Sequence, residues 1–414
     1  MTGRSDAAEA LSRPVEQCRS CGGARLEVVL DLGRTPLANA LPTDPSALEP
    51  TYPLAVAMCR DCALVQTTYW VSGEVIFGGD YPYFSSFSTD YLRHARDHAL
   101  ELIETRALGP ESLVVEIASN DGYLLRNFVE KGVPVLGIDP ARGPAETARG
   151  IGVPTLEEYF GSDLARRLRA DGQRADVMLA NNVLAHVDDP KELAAGVALL
   201  LKPEGVAVFE VPYLVDLVER CAFDTIYHEH NGYFSLRALE NLFQPHGLHV
   251  IDVKRLEIHG GSLRVSVAPK SAKQTAVGEL RSLEDRLGVA NVDFYRQFAQ
   301  RVETVTRGLK DLLERLRAEG KRVAAYGAAA KGATLSNAAG LGPDLVAYVV
   351  DRNPAKQGRF LPGVRIPIVP PERLQEDPPD VLLVFAWNIL PEIRAQLEDF
   401  PGRFLVPIPE PRIL

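Results

Sequence analysis

A chain of 414 residues has room for about two to four domains at roughly 100–200 residues each, and 46% hydrophobic with 24% charged residues marks a soluble globular class. A net charge of −10 and a pI near 5.4 argue against non-specific nucleic-acid binding, which needs a basic surface to displace counterions. No apolar run reaches the roughly 18 residues of a membrane span, and the polar start MTGRSDAAEALSRPVEQ lacks the apolar core of a secretory signal.

The expected setting is therefore the cytoplasm, with neither membrane nor nucleic acid as partner. A local basic pocket for a small phosphate stays open, as does the oligomeric state, a monomer included. The five cysteines are read in a reducing compartment, where structural disulfides are rare.

Residues 1–16 show no clear periodicity and read as a frayed start. Residues 17–70 hold four cysteines, several prolines and short apolar pieces, so residues 1–70 are taken as a small loop-rich module. Cys18-Arg-Ser-Cys21 and Cys59-Arg-Asp-Cys62 are two CxxC pairs. Each can present two thiolates to one ion, and together they give the closed tetrahedral set of a structural zinc site. Their separation exceeds that of the usual zinc ribbon, and a redox dithiol or unrelated free cysteines are the competing readings. Cys221 reads as a small buried hydrophobe.

Residues 71–90, rich in Gly, Tyr, Phe and Ser, suggest a linker or lid. A hydroxyl of Tyr81 or Tyr83 there can meet an enolate oxygen or line a methyl donor, although packing at a domain junction is the plainer role. A helix is expected from Ser88 and Thr89, with Leu92, Ala95, Ala99 and Leu102 on its apolar side. From about residue 112 strands and helices alternate, which implies a parallel sheet with helices on both faces; residues 71–270 form this central domain.

Its first strand carries Glu116 and runs into the turn Ala118-Ser119-Asn120-Asp121-Gly122. A carboxylate- or phosphate-bearing cofactor can approach backbone amides at such a junction. Asp139, ending the second strand, can accept bonds from both hydroxyls of a ribose. Only Gly122 survives of a three-glycine fingerprint, so the crowded turn suits S-adenosylmethionine better than NAD, which remains the rival. Asn181 ends the third strand, and His186 follows it.

Tyr227-His228-Glu229-His230-Asn231-Gly232-Tyr233 is the densest polar cluster in the chain. Three readings compete: a second zinc site, a satisfied structural cluster, and a general base, for which histidine is the matched side chain near neutral pH. Residues 271–320 are charged and helical in period, and read as a solvated bridge between domains. A second α/β unit, residues 321–414, opens with KRVAAYGAAAKGATLSNAAG. Fold class is thus α/β: a zinc module, a central Rossmann-like domain that resembles class I methyltransferases, and a second Rossmann-like domain.

The chain resembles the sugar C-methyltransferases of antibiotic deoxysugar pathways. The resemblance spans nearly its whole length and rests on the CxxC pairs, EIASNDGYLL, ANNVLAHVDD, YHEHNGYFS and VAAYGAAAKG. It implies a structural zinc ion on Cys18, Cys21, Cys59 and Cys62. It implies S-adenosylmethionine held by Glu116, Ala118, Asn120, Gly122, Asp139, Asn181 and Tyr81. A nucleotide-linked keto-sugar would lie on Tyr326, Gly327, Ala328, Lys331 and Asn337, with His228 beside it. His230 would be the base, assisted by Glu229, Tyr227, His186 and Tyr83. Ala118 stands where many relatives have glycine, and a methyl group there is tolerable if the local φ is negative.

Overall fold

The computed structural model describes residues 11–77, 85–87, 89–272 and 275–414. Tyr81 and Tyr83 lie outside the described residues.

The central sheet has seven strands. In spatial order they are His249–Leu256, Ser262–Ala268, Leu201–Pro212, Ala175–Asn181, Val114–Ile117, Val135–Ile138 and Thr155–Leu156. The last five run parallel; the first two form an antiparallel edge. Short runs such as VVEI are buried along their full length, as expected for strands covered on both faces. Chain order reverses between Val114–Ile117 and Ala175–Asn181, and a crevice opens at the carboxyl ends of strands at such a point.

The C-terminal sheet repeats this logic with six strands: Ile368–Val369, Val349–Val350, Val323–Tyr326, Val381–Val384, Arg403–Val406 and Arg412–Ile413. Its reversal falls between Val323–Tyr326 and Val381–Val384, and its last strand is antiparallel.

The N-terminal module is an antiparallel sheet of Leu26–Thr35, Tyr52–Cys59 and Val65–Thr67, completed by Gly232–Tyr233 from the His-Glu-His loop. A strand of the central domain therefore belongs to the cysteine module's sheet. The same module reaches the C-terminal unit: Phe360 N–H donates to Pro42 O at 2.9 Å, and Gly363 N–H to the Glu49 carboxylate at 2.7 Å.

The solvated bridge is corrected. Its second helix, Val292–Ala318, buries Val302, Val305, Leu309, Leu313 and Leu316 in one core with Val29 and Leu54 of the N-terminal sheet and Val323 and Leu383 of the C-terminal sheet. Those residues fall at helical spacing, but interleaved charges hide the stripe in the sequence. The first helix, Thr275–Leu287, belongs to the central domain. Its buried Glu284 accepts from Leu236 N–H, Arg237 N–H and the Tyr213 hydroxyl, capping the helix Leu236–Phe243. Among the described residues no helix is long and apolar enough to cross a membrane.

Candidate active site

The four cysteine sulfurs lie within 4.8 Å of one another, with Cys18–Cys62 at 3.4 Å and Cys21–Cys59 at 3.5 Å. Four sulfurs at about 2.3 Å from one ion stand about 3.8 Å apart, so the cluster matches tetrahedral zinc. Both CxxC turns close alike: Gly22 N–H donates to Cys18 O and Ala63 N–H to Cys59 O, with Gly22 and Ala63 at positive φ. Packed this closely the thiols cannot ionise independently. The Cys62 thiol draws Cys18 down to about 5, while burial pushes Cys59 up to about 11. A divalent cation resolves that conflict by favouring four thiolates, and with four ligands it keeps no open position for catalysis.

The central crevice is lined by polar atoms without protein partners. Both carboxylate oxygens of Glu116 are buried and unbonded, as are both amide atoms of Asn181 and one oxygen of Asp121. Tyr123 favours the charged form of Glu116, but desolvation and, after it, Asp139 push the carboxyl well above its ordinary range. Asp139 accepts from Asn120 N–H and Ala141 N–H, both at 2.8 Å. A carboxylate has about four lone-pair sites, so two remain for hydroxyls of a ribose. Buried orphan groups of this kind cost roughly 1–3 kcal/mol each when unmet, so the crevice is built to be completed by a polar ligand.

The condition for Ala118 is not met: its φ is +54°, with Asn120 at +49° and Gly122 at +79°. The turn stores left-handed backbone at three positions, two without glycine's freedom. Side chains stabilise it. Asn120 accepts from Ser85 N–H at 2.9 Å, and Asp121 from Ser86 N–H at 3.2 Å, tying this turn to residues within the 71–90 segment.

The His-Glu-His loop is anchored on three sides. Asn231 N–H donates to Ala185 O at 2.6 Å and its amide to His186 O and Asp188, which brings the His186 and His230 rings to 4.8 Å. The Tyr227 ring lies 4.1 Å from His230 and Tyr233 at 6.3 Å. Glu229 accepts from the Asn39 amide at 2.6 Å, a link to the N-terminal module. His228 points the other way: Nε2 donates to Pro53 O at 3.2 Å and its ring meets Tyr52 edge-on, so it locks the loop to the N-terminal sheet and does not join His230.

His230 Nδ1–H donates to Thr225 O at 2.7 Å. That bond fixes the tautomer and leaves Nε2 with its lone pair. Desolvation, then the neighbouring His186, lowers His230 to about 3; desolvation lowers His186 to about 4. Both rings are neutral near pH 7, and both residues are half-buried. The arrangement suits a neutral base in a dry site.

In the C-terminal crevice Gly327 sits at φ +93° and Ala328 N–H donates to Asp351 at 2.8 Å. The Lys331 ammonium lies over the Trp387 ring at 5.1 Å and bonds Asn388 at 3.2 Å. Its charge is felt at His230, so the structure brings Lys331 towards the His-Glu-His loop. Tyr326 and Asn337 are engaged elsewhere. The Tyr326 hydroxyl meets Gln396 at 3.3 Å, and the Asn337 amide donates to Ala333 O and Pro362 O. Sequence reasoning missed Asn39, Asp224, Asp351 and Trp387. Asp351 had a signal, ending the strand of DLVAYVVD as Asp139 ends its own. Asn39 had none.

Three family profiles cover most of the chain: a zinc binding domain at residues 18–77, a methyltransferase domain at 91–253 and a C-methyltransferase C-terminal domain at 257–409. The chain is 40% identical over 410 residues to the C-methyltransferase NovU of Streptomyces niveus, covering 97% of each. It is 28% identical over 106 residues to a ubiquinone biosynthesis O-methyltransferase of Hahella chejuensis, 25% of this chain and 44% of that protein. Among solved structures, the glycopeptide N-methyltransferase MtfA with S-adenosylmethionine aligns with 42% of this chain and 94% of its own at 13% identity and a TM-score of 0.34. The NAD reading is set aside by the full-length likeness to NovU and the C-methyltransferase profile, and the same findings make carbon, not oxygen or nitrogen, the methyl acceptor. The chain belongs to the C-methyltransferase family of NovU and is an S-adenosylmethionine-dependent C-methyltransferase with a zinc-binding N-terminal domain.

Proposed function

We propose that the enzyme methylates the carbon next to the ketone of a nucleotide-linked keto-deoxysugar, with deoxythymidine diphosphate as the nucleotide. The observation that carries the reading is His230: a neutral imidazole with Nδ1 pinned to Thr225 O, on a loop flanked by the central crevice and by Lys331 of the C-terminal unit. S-adenosylmethionine, when bound, supplies an electrophilic methyl group.

The chain's own residues do the rest. Glu116, Ala118, Asn120, Gly122, Asp139 and Asn181 hold the cofactor, joined by Tyr81. His230 Nε2 takes the proton from the carbon next to the ketone, and the C–H electron pair moves to give the enolate. The enolate carbon is then the nucleophile for the methyl group that the bound cofactor would supply, the methyl–sulfur bond breaking with its electron pair left on sulfur. His186, Tyr227 and Glu229 orient the base and the sugar, and Tyr83 is assigned to the ketone oxygen, where a hydrogen-bond donor would stabilise charge as it develops. Lys331, Gly327 and Ala328 take the diphosphate, Lys331 near the start of the helix Ala330–Ala339. Desolvation keeps His230 uncharged, and the arriving diphosphate strengthens it as a base by opposing Lys331.

Incubation with a deoxythymidine-diphospho-4-keto-sugar and methyl-¹³C-labelled cofactor tests the assignment. The expected product carries ¹³C on the carbon adjacent to the ketone, read by carbon–carbon coupling. Label on oxygen, or none in any keto-sugar, would replace the substrate class.

A further inference from the structure

Asp224 lies just upstream of the base in the turn Phe223–Thr225, and its side chain is wholly buried. A lone carboxylate so placed is costly unless it is bonded. Its partner comes from the other unit: the Trp387 indole N–H donates to Asp224 at 2.7 Å. Trp387 opens the turn Trp387–Ile389, one residue beyond Ala386, whose Cβ faces Gly327 across the reversal point of the C-terminal sheet. The Trp387 ring carries the Lys331 ammonium, which Asn388 also holds. The helix Ala330–Ala339 packs directly on the Asp224 turn. The next residue, Thr225, supplies the carbonyl that holds His230. One short turn thus fixes the base through its backbone and the opposing cation through its side chain.

We infer that Asp224 is a positioning residue: by gripping Trp387 it holds Lys331 in register with His230, so that the anionic part of the substrate and the proton to be removed are presented together. This rests on the sugar-nucleotide reading above. The groups that face His230 are His186, Tyr227, Tyr233 and Lys331, with the Thr225 carbonyl at Nδ1. Of these Lys331 alone carries a fixed positive charge, and it disfavours protonation of the ring. Loosening Lys331 therefore moves the acid limb of kcat/KM to higher pH.

The test compares wild type, Asp224→Ala, Asp224→Asn, Trp387→Phe and the Asp224→Ala/Trp387→Phe double variant, with Lys331→Met as reference. Each is assayed for binding of deoxythymidine diphosphate and for turnover against pH. Asp224→Ala and Trp387→Phe should each weaken nucleotide binding by about tenfold and shift the acid limb upward, as Lys331→Met does, with KM for the methyl donor unchanged. The double variant should be no worse than either single change, because both break one bond. Asp224→Asn keeps an acceptor oxygen and should restore most of the loss. Additive losses, an unmoved acid limb in Trp387→Phe, or an equal rise in KM for the methyl donor would overturn the role. Should Asp224→Ala fail to fold, Trp387→Phe carries the same test. Absence of nucleotide binding or turnover in the wild type would instead strike the sugar-nucleotide reading.

Discussion

The two Rossmann-like crevices share one device and differ in what they leave unsatisfied. In each, an acid at the end of the second strand ties down the loop after the first: Asp139 accepts from Asn120 N–H and Ala141 N–H, and Asp351 from Ala328 N–H and Asn353 N–H, all at 2.8 Å. The central crevice adds strained turns and orphan buried groups at Glu116, Asn181 and Asp121. In the C-terminal loop, only Gly327 takes a positive φ, and Lys356 caps the Ala328 carbonyl at 2.8 Å. One crevice is thus shaped to be completed by buried hydrogen bonds from a ligand. The other offers backbone, a helix start and a lysine, which suits an anion approached from the open side.

The comparison breaks hardest at the cysteine cluster, because its sheet touches both units. Structural zinc contributes on the order of 10–16 kcal/mol to small metal-held folds. Chelation, or Cys59→Ser, should unfold the N-terminal sheet, strip the pairing of Gly232–Tyr233 with Val65 and Gln66, and abolish turnover. Metal content, circular dichroism and activity report this together; full activity in metal-free enzyme would deny the coupling.

Swapping the acids sharpens the contrast. Charge-assisted bonds are worth about 1.5–3 kcal/mol, or roughly 10- to 100-fold in affinity. Asp139→Ala should weaken cofactor binding by that factor and spare the nucleotide, and Asp351→Ala should do the reverse. Calorimetry with each ligand alone separates them.

A smaller effect lies in pH. In the free protein His230 is held near 3, below its ordinary value of 6.5, and the form proposed to act is the neutral one. Activity as kcat/KM should therefore fall only well below pH 6.5, whereas the limb in kcat should sit at least about one unit higher, raised by bound diphosphate. Coincident limbs near 6.5 would mean a solvated base.

The smallest change expected is in Ala118→Gly. Relief of the left-handed φ should stabilise the protein by about 0.5–1 kcal/mol against the added freedom of the unfolded chain, seen as a slight rise in Tm.

Much of this was legible in the sequence because it is local. Paired CxxC spacing, buried strand runs and acids at strand ends are written in neighbouring residues. The conformation of Ala118 was not, because Asn120 and Asp121 support the turn from residues far away in sequence, Ser85 and Ser86. The stripe of Val292–Ala318 was masked by its charges. The Asn39–Glu229 and Asp224–Trp387 contacts join residues 190 and 163 positions apart, and no periodicity reports such a pair.

The central claim is that one imidazole removes a proton from a carbonyl-activated carbon. It is met most directly by NMR in heavy water, with a nucleotide 4-keto-sugar and the demethylated cofactor. Wild type should exchange hydrogen at a single carbon beside the ketone. His230→Ala, with its cofactor affinity verified as intact, should lose that exchange by about 100-fold or more. Exchange at the wild-type rate in His230→Ala would contradict the account.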